Sequence, residues 1–282
     1  MNRWKPTVLA ICLVAIGVAC SEGASSFKLW DVKDKRMVTL AGVLPRLSAA
    51  EVVTVGEIHD EMSHHRAQLS IIEALHQSGQ RFAVGLEMVQ HRSQDALDRW
   101  VSGEMSEAEF QKVFAANWGL NWHLYRDIFQ YCRQQKISML GLNVPREITS
   151  KVAREGFGAL SPSEVGQLPP ITCKVGKEYG DIMRRAHGHA GMSELSFTRL
   201  CEAQLVWDTA MAVHTEAYLK ANPGSHLVLL AGAVHAWREG VPAQLKALNA
   251  HRSLVVILPE SNDRFRRGEV TLGDADYLLP ER

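Results

Sequence analysis

The feature that most constrains this chain is a repeated exchange of two periodicities. Short apolar or β-branched runs alternate with longer stretches whose apolar residues recur every three or four positions. Val52–Val55 ends at Gly56, and Ser63–Gln77 follows with apolar residues at 67, 71, 72 and 75, the spacing of one helix face. Phe82–Leu86 predicts a second strand, and Gln94–Val101, Glu107–Ala115 and His123–Gln135 predict helices. Ile137–Leu140 predicts a third strand, after which Pro145 suits the first turn of a helix. Leu227–Leu230 predicts a fourth strand, Ala243–Ala250 a helix and Leu254–Leu258 a fifth strand. Ahead of them, Lys28–Asp31 and Arg36–Thr39 read as a short hairpin around Lys33–Lys35. Strands alternating with helices mean βαβ units, hence an α/β fold with a mainly parallel β-sheet flanked by helices.

The alternation is interrupted once, by a helical insertion at about 145–225 between the third and fourth strands. Within it, Leu160–Cys173 carries three prolines and reads as loop, while Lys177–His187 and Glu194–Leu219 read as helices. Val206, Ala210, Val213 and Ala217 give the second helix an apolar stripe. Such an insertion caps a site, makes a partner interface, or packs on the core as a lobe.

The N-terminus has a different character. Arg3 and Lys5 precede Thr7–Ala19, an apolar run of thirteen residues, which suits a signal sequence better than a membrane span. It ends in Gly17-Val18-Ala19-Cys20-Ser21, which resembles a bacterial lipobox with Gly17 where the pattern prefers Leu. Residues 1–20 are therefore expected to be a lipoprotein signal, with Cys20 the lipidated residue; ordinary signal cleavage is the alternative. Ser21, not Asp, points to the outer membrane, on the periplasmic side. Residues 21–26 read as a tether, and 21–282 as the mature domain. Across 282 residues, 46 % are hydrophobic and 22 % charged, enough for a large core and against general disorder. Thirty-one basic residues balance thirty-one acidic ones, which argues against a general nucleic-acid binder. Without residues 1–20 the balance is 29 to 31, and the thiols left beyond Cys20 are Cys132, Cys173 and Cys201. An odd number cannot all pair internally, and buried small side chains are the favoured reading.

Polar residues converge at the strand ends. The first strand runs into Gly56-Glu57-Ile58-His59, the second into Gly85-Leu86-Glu87, the third into Gly141-Leu142-Asn143 and the fourth into Gly232-Ala233-Val234-His235. In an open parallel sheet, ligands bind beyond the carboxyl ends of the strands. Glu57, His59, Glu87 and His235 suit either a divalent first-row metal or general acid–base work. No Ser or Cys stands at these four ends, which disfavours a nucleophile triad, and the single glycines make no phosphate-binding pattern. His64 and His65 open the following helix, and His65 lines up with Leu69 and Ile72 to point inward. In the insertion, Tyr179, Arg184 and Arg185 lead to His187-Gly188-His189. That stretch serves equally as a pair of metal or haem-iron ligands or as a helix C-terminus stopped by Gly188. Met183 and Met192 suit a flat ligand or core packing.

These pieces, in this order, resemble the ChaN family of haem-binding bacterial lipoproteins, in a superfamily with the Tiki metalloproteases and the erythromycin esterases. The matching stretches are Val55–Asp60, His64–Gln68, Leu86-Glu87-Met88, Gly141-Leu142-Asn143, His187-Gly188-His189, Ala203–Ala212 and Ala231–His235. The resemblance implies an iron-regulated outer-membrane lipoprotein for haem or iron uptake, a homodimer holding paired haems, and an outer-membrane receptor as a further partner. It also implies a Tyr as iron ligand; Tyr179 is the best-placed candidate, with His187, His189, Arg184, Arg185 and His65 around the haem. The same resemblance implies a competing activity. Tiki-type proteases hold a divalent metal with two Gly-x-x-His motifs and a Glu, and this chain has both motifs and Glu87. A metal-dependent or acid–base hydrolase at Glu57, His59, Glu87 and His235 is therefore the alternative, with Glu57 or Glu87 as base.

Overall fold

Val52–Glu57 is buried at every position, as is Phe82–Gln90, the mark of strands covered on both faces. The computed structural model, which describes residues 27–119, 121–171, 173–187, 191–261 and 265–281, shows how. Its strands are β1 (Lys28–Asp31), β2 (Arg36–Thr39), β3 (Val52–Glu57), β4 (Phe82–Gln90), β5 (Met139–Asn143), β6 (His226–Gly232), β7 (Leu254–Pro259) and β8 (Tyr277–Leu279). They form a mixed sheet in the order β2-β1-β8-β7-β3-β6-β4-β5. All pairings from β8 to β5 are parallel, while β1 runs antiparallel to both its neighbours. The mainly parallel α/β fold read from the sequence is the fold observed.

Side-chain alternation divides the core in two. On one face, Val53, Val55, Val84, Leu86, Val228 and Leu230 meet α1 (Leu40–Ala49), α2 (Met62–Gln77), α3 (Gln94–Ser102), α4 (Glu107–Asn117) and α5 (Trp122–Gln135). On the other, Leu227, Leu229, Ala231, Val256 and Leu258 meet α9 (Glu194–Ala221), α10 (Ala233–Ala236) and α11 (Val241–Leu248). Between β5 and β6 the chain also makes α6 (Arg146–Glu155), α7 (Pro162–Val165) and α8 (Lys177–His187).

Four of these elements had no forecast: α1, α7 (in the stretch read as loop), α10 and β8. In α1, Thr39 caps the helix by accepting the Gly42 N–H at 3.2 Å, and Pro45 sits inside it. β8 is a three-residue strand that joins β7 to the N-terminal hairpin. Strand ends also reach further than periodicity suggested, because Glu57, Glu87, Gln90 and Asn143 are themselves strand residues. The signal residues, Cys20 and His189 lie outside the described residues.

Candidate functional site

The sheet order puts β3, β6 and β4 side by side, so their carboxyl ends deliver Glu57, Gly232 and Glu87 to one place. Gly232 pairs with Glu57 across the β3–β6 ladder, and its N–H donates to Glu87 Oε2 at 2.7 Å. His59 folds back over it: a Cβ at position 232 would stand 2.7 Å from His59 Cε1. Gly232 is thus a requirement of space, since any larger residue would push the imidazole away.

Glu57, 1 % exposed, is saturated with hydrogen bonds. Tyr125 donates to its Oε1 at 2.7 Å and His59 Nδ1 lies 2.9 Å from the same atom. Gln68 donates to Oε2 at 2.8 Å, and His65 Nδ1 stands 3.1 Å from it. His65 also holds the His59 carbonyl at 3.1 Å through Nε2. His64 turns aside and accepts the Ile58 N–H at 3.1 Å. The His59 side chain remains 39 % exposed, with its ring edge against Trp118.

A second imidazole–carboxylate pair faces the first. His235, on the short α10, places Nδ1 at 2.6 Å from Asp208 Oδ1 and Nε2 at 3.5 Å from Glu87 Oε1. Asp208 and Gln204 stand one turn apart on α9 and so share a face. The Gln204 amide nitrogen lies 2.8 Å from His235 Nδ1. Tyr179, on α8, donates its hydroxyl to Asp208 Oδ2 at 3.0 Å. The insertion therefore joins the strand edge through Tyr179–Asp208–His235–Glu87. Two cavities, of about 570 and 380 Å³, meet over His59, Gln204 and His235 to make one cleft.

Burial works against the charge on Glu57, yet the hydrogen bonds from His59 and His65 outweigh it and bring the pKa down to about 2. Burial also opposes charge on His59 and His65, and their bonds to Glu57 raise both above the usual imidazole value. For His235, burial is again outweighed, here by Glu87 and Asp208, and the pKa is pushed up to about 9. Asp208 does not mirror its partner: complete burial raises its pKa despite the imidazole beside it. The ring flanked by two carboxylates is the group that keeps the proton. Burial, and then Asp208, raises the pKa of the Tyr179 phenol.

The four strand-edge residues are thus brought together, but as two hydrogen-bonded pairs. Among the described residues, no group of three or more His, Cys, Asp or Glu is arranged to hold a metal ion. The expectation of a divalent-metal site at Glu57, His59, Glu87 and His235 is not supported by this arrangement. Glu57 spends both oxygens on four neighbours, Glu87 Oε2 takes a backbone N–H, and one nitrogen of each imidazole is committed to a carboxylate. Glu57 is likewise positioned to orient His59 and not to abstract a proton. His65, 2 % exposed, is shut behind Glu57. Arg184 lies on the surface, bonded to Asp181 at 3.3 Å and Glu194 at 3.0 Å, with its guanidinium 4.5 Å over the Phe197 ring. His187 closes α8, and its side chain, that of Arg185 and all of His189 lie outside the description. Cys132, Cys173 and Cys201 are free thiols, and burial raises the pKa of each.

Sequence reasoning assigned no role to Gln68, Tyr125, Gln204 or Asp208. The four-residue spacing of Gln204 and Asp208 was the available signal for α9. Tyr125, 68 positions from Glu57, left no local trace.

Residues 43–245 match the family described as haem-binding uptake, Tiki superfamily, ChaN. No curated protein matches the sequence. Among solved structures, ChaN of Campylobacter jejuni with cofacial haem superposes with a TM-score of 0.68 at 23 % identity, over 89 % of this chain and 95 % of that one. The type III effector HopBA1 gives 0.51 at 12 % identity, over 86 % and 93 %. A mutant of the erythromycin esterase EreC in its open conformation gives 0.48 at 15 % identity, over 77 % and 72 %. The family match takes in both imidazole–carboxylate pairs of the cleft and four of the eight strands, and by it this chain belongs to the ChaN family of haem-binding uptake proteins within the Tiki superfamily.

Proposed function

We propose that this protein binds haem and serves haem or iron uptake from a lipid-anchored position on the periplasmic side of the outer membrane. The observation that carries the reading is family membership over residues 43–245. Haem needs an apolar face, an iron ligand and cations for its propionates. Features on either side of the segment that joins α8 to α9 support this: Met192 and Leu195 are 48 % and 60 % exposed, His187 closes α8, and Arg184 bonds to Glu194. His187 or Tyr179 would hold the iron, with His189 and Arg185 in the same stretch, and Arg184 would meet a propionate. The bound group supplies the iron that is carried. Tyr179 reaches iron only by giving up its bond to Asp208. Two copies meeting through this apolar face would shield paired haems, in keeping with the cofacial haem of the Campylobacter jejuni protein. An outer-membrane receptor is the partner such a carrier requires.

Haem titration of the chain tests this reading. It predicts a saturable Soret band at low stoichiometry, diminished in Tyr179→Phe or His187→Ala. Absence of any saturable band refutes haem binding; a band unchanged in both variants refutes the ligand assignment. Palmitate labelling lost in Cys20→Ala tests the anchor separately.

One observation favours a second activity at the strand edge. Two imidazole–carboxylate pairs, Glu57–His59 and Asp208–His235, face one cleft with Glu87 between them. This is a metal-free acid–base set, with His59 the accessible group and Glu57 its orienting partner. Turnover of an ester or amide panel that is lost in His59→Gln and survives chelation supports it; no turnover on any member sinks it.

A further inference from the structure

The β1–β2 hairpin stands at the edge of the sheet, with β2 the outermost strand. Strand alternation sends Leu29 and Asp31 into the protein and Lys28 and Trp30 to the opposite face. Trp30 stands across the ladder from Met37, and Lys28 from Thr39, so these four side chains share one face. Met37 is 38 % exposed there. A groove of about 700 Å³ opens beside it, between the hairpin turn and residues 267–272. Trp30 and Leu272 line the groove, Leu272 is 46 % exposed, and Arg267 holds its guanidinium 4.9 Å from the centre of the Trp30 ring.

The charges around this groove do not balance. Asp34 is paired with Arg36 at 3.4 Å, Glu269 with Arg266 at 3.5 Å and Glu260 with Arg267 at 2.6 Å. Lys28, Lys33 and Lys35 are exposed and have no acidic partner among the described residues. An indole, two exposed apolar side chains and three unpaired lysines suit the headgroup layer of a bilayer. The place of the hairpin in the chain points to the same occupant. Eight residue steps separate Lys28 from Cys20, the expected lipid attachment, so the chain between them reaches at most about 28 Å. From Lys28 to Lys33 the hairpin runs about 17 Å, so a bilayer that holds Cys20 comes within reach of the whole face.

We propose that this face of the β1–β2 hairpin, with the groove at Leu272, is a docking surface for a bilayer that contains anionic phospholipid. Lys28, Lys33 and Lys35 meet the phosphates, and Met37 and Leu272 enter the interfacial layer with Trp30 behind them. β3 lies four strand positions from β2, about 19 Å across the sheet, so a domain resting on the hairpin keeps its cleft clear of the headgroups. The proposal rests on the lipid-anchor reading for where it acts in the cell, but vesicle binding by the unacylated chain is its own readout.

Flotation with vesicles tests it on the unacylated chain from residue 21 onward, which keeps every described residue. Vesicles of phosphatidylcholine with about 30 % phosphatidylglycerol should bind the chain at least about tenfold more strongly than phosphatidylcholine alone. Raising salt from about 0.1 M to about 0.5 M should remove most of that difference. One lysine near an anionic surface contributes roughly fivefold, so Lys33→Gln with Lys35→Gln should lose at least about tenfold. Leu272→Asp should lose a similar amount. Lys112→Gln, on α4 at the other face of the sheet, should lose nothing. All four substituted side chains are exposed, so the fold is kept. No binding to either vesicle, equal binding to both, an undiminished lysine pair, or an equal loss in Lys112→Gln overturns the proposal. Palmitate labelling at Cys20 without vesicle binding refutes only the docking surface. Vesicle binding without labelling refutes only the anchor.

Discussion

Asp208→Asn is the sharpest single perturbation, because it removes one of the two carboxylates that hold a proton on His235. The free imidazole titrates near 6.5 and His235 near 9. Below about pH 6.5 both the folded and the unfolded chain carry this proton, and the stabilisation is fully present. Between 6.5 and 9 the unfolded chain gives the proton up while the folded chain keeps it, so stability falls and the contribution is gone above 9. A shift of about 2.5 units at about 1.4 kcal/mol each amounts to about 3 kcal/mol. For a chain of this size that is a melting temperature lower by roughly 6–12 °C. His59 and His65, raised by Glu57, add a slope of the same sign, so the informative quantity is the difference between wild type and variant. Asparagine keeps the shape and an acceptor for Tyr179 but leaves only Glu87, at 3.5 Å, to hold the imidazolium. The His235 titration midpoint should drop by at least one unit by proton NMR, and melts between pH 6.5 and 9.5 should flatten accordingly. A wild-type melting temperature constant over that range, or a variant with the full wild-type slope, would refute the reasoning.

Gly232→Ala should displace His59, since its Cβ would lie 2.7 Å from the ring, and return the His59 pKa toward 6.5 while the fold survives; NMR titration reads both. Tyr125→Phe removes a 2.7 Å donor to a buried carboxylate and should cost about 1.5–3 kcal/mol in urea denaturation at pH 7. The Glu57 contribution is present above about pH 4.5 and lost as pH falls toward 2, so the penalty of that variant should shrink in the same window. His214 is held down to about 4, first by burial, with its Nδ1 on the Leu142 carbonyl at 2.8 Å and its ring stacked 4.0 Å from His91. Above about pH 6.5 this burial carries no penalty, and stability falls as pH drops from about 6.5 to about 4, where the unfolded chain takes up a proton that the folded chain refuses. An NMR midpoint for His214 at or above 6 would contradict this.

Much of the sheet was legible because buried parallel strands are continuous apolar runs between glycines, a signal that survives without context. The four residues at the strand edge followed from topology, since parallel strands carry their chemistry to one end. What stayed hidden was the partner of each group. Tyr125 reaches Glu57 from α5, and Asp208 reaches His235 from α9, distances in sequence that periodicity cannot bridge. The metal expectation lacks support for that reason: composition shows ligand types, but only the fold shows which donors each carboxylate already has. β8 escaped because three residues carry too little pattern, and α1 because Pro45, its sixth residue, reads as a break inside the helix.

The insertion and the strand edge looked like separate regions along the chain, and α9 connects them through Asp208. Twenty-eight residues at 1.5 Å each give it a length of about 42 Å. It begins at Glu194, beside the face proposed for haem, and presents Gln204 and Asp208 to the cleft midway along. If iron takes the Tyr179 phenol, Asp208, 1 % exposed, loses a donor, and an unanswered buried acceptor costs roughly 1–3 kcal/mol. That cost falls on the carboxylate that holds His235, whose proton should then be bound more tightly as Asp208 leans on it alone. If His187 takes the iron, the chain from Tyr179 to Glu87 is undisturbed and His235 keeps its wild-type midpoint. Gallium protoporphyrin, which is diamagnetic and keeps the metal's charge, allows His235 to be titrated by NMR with the face occupied. A midpoint raised on loading assigns the metal to Tyr179, and an unmoved one assigns it to His187.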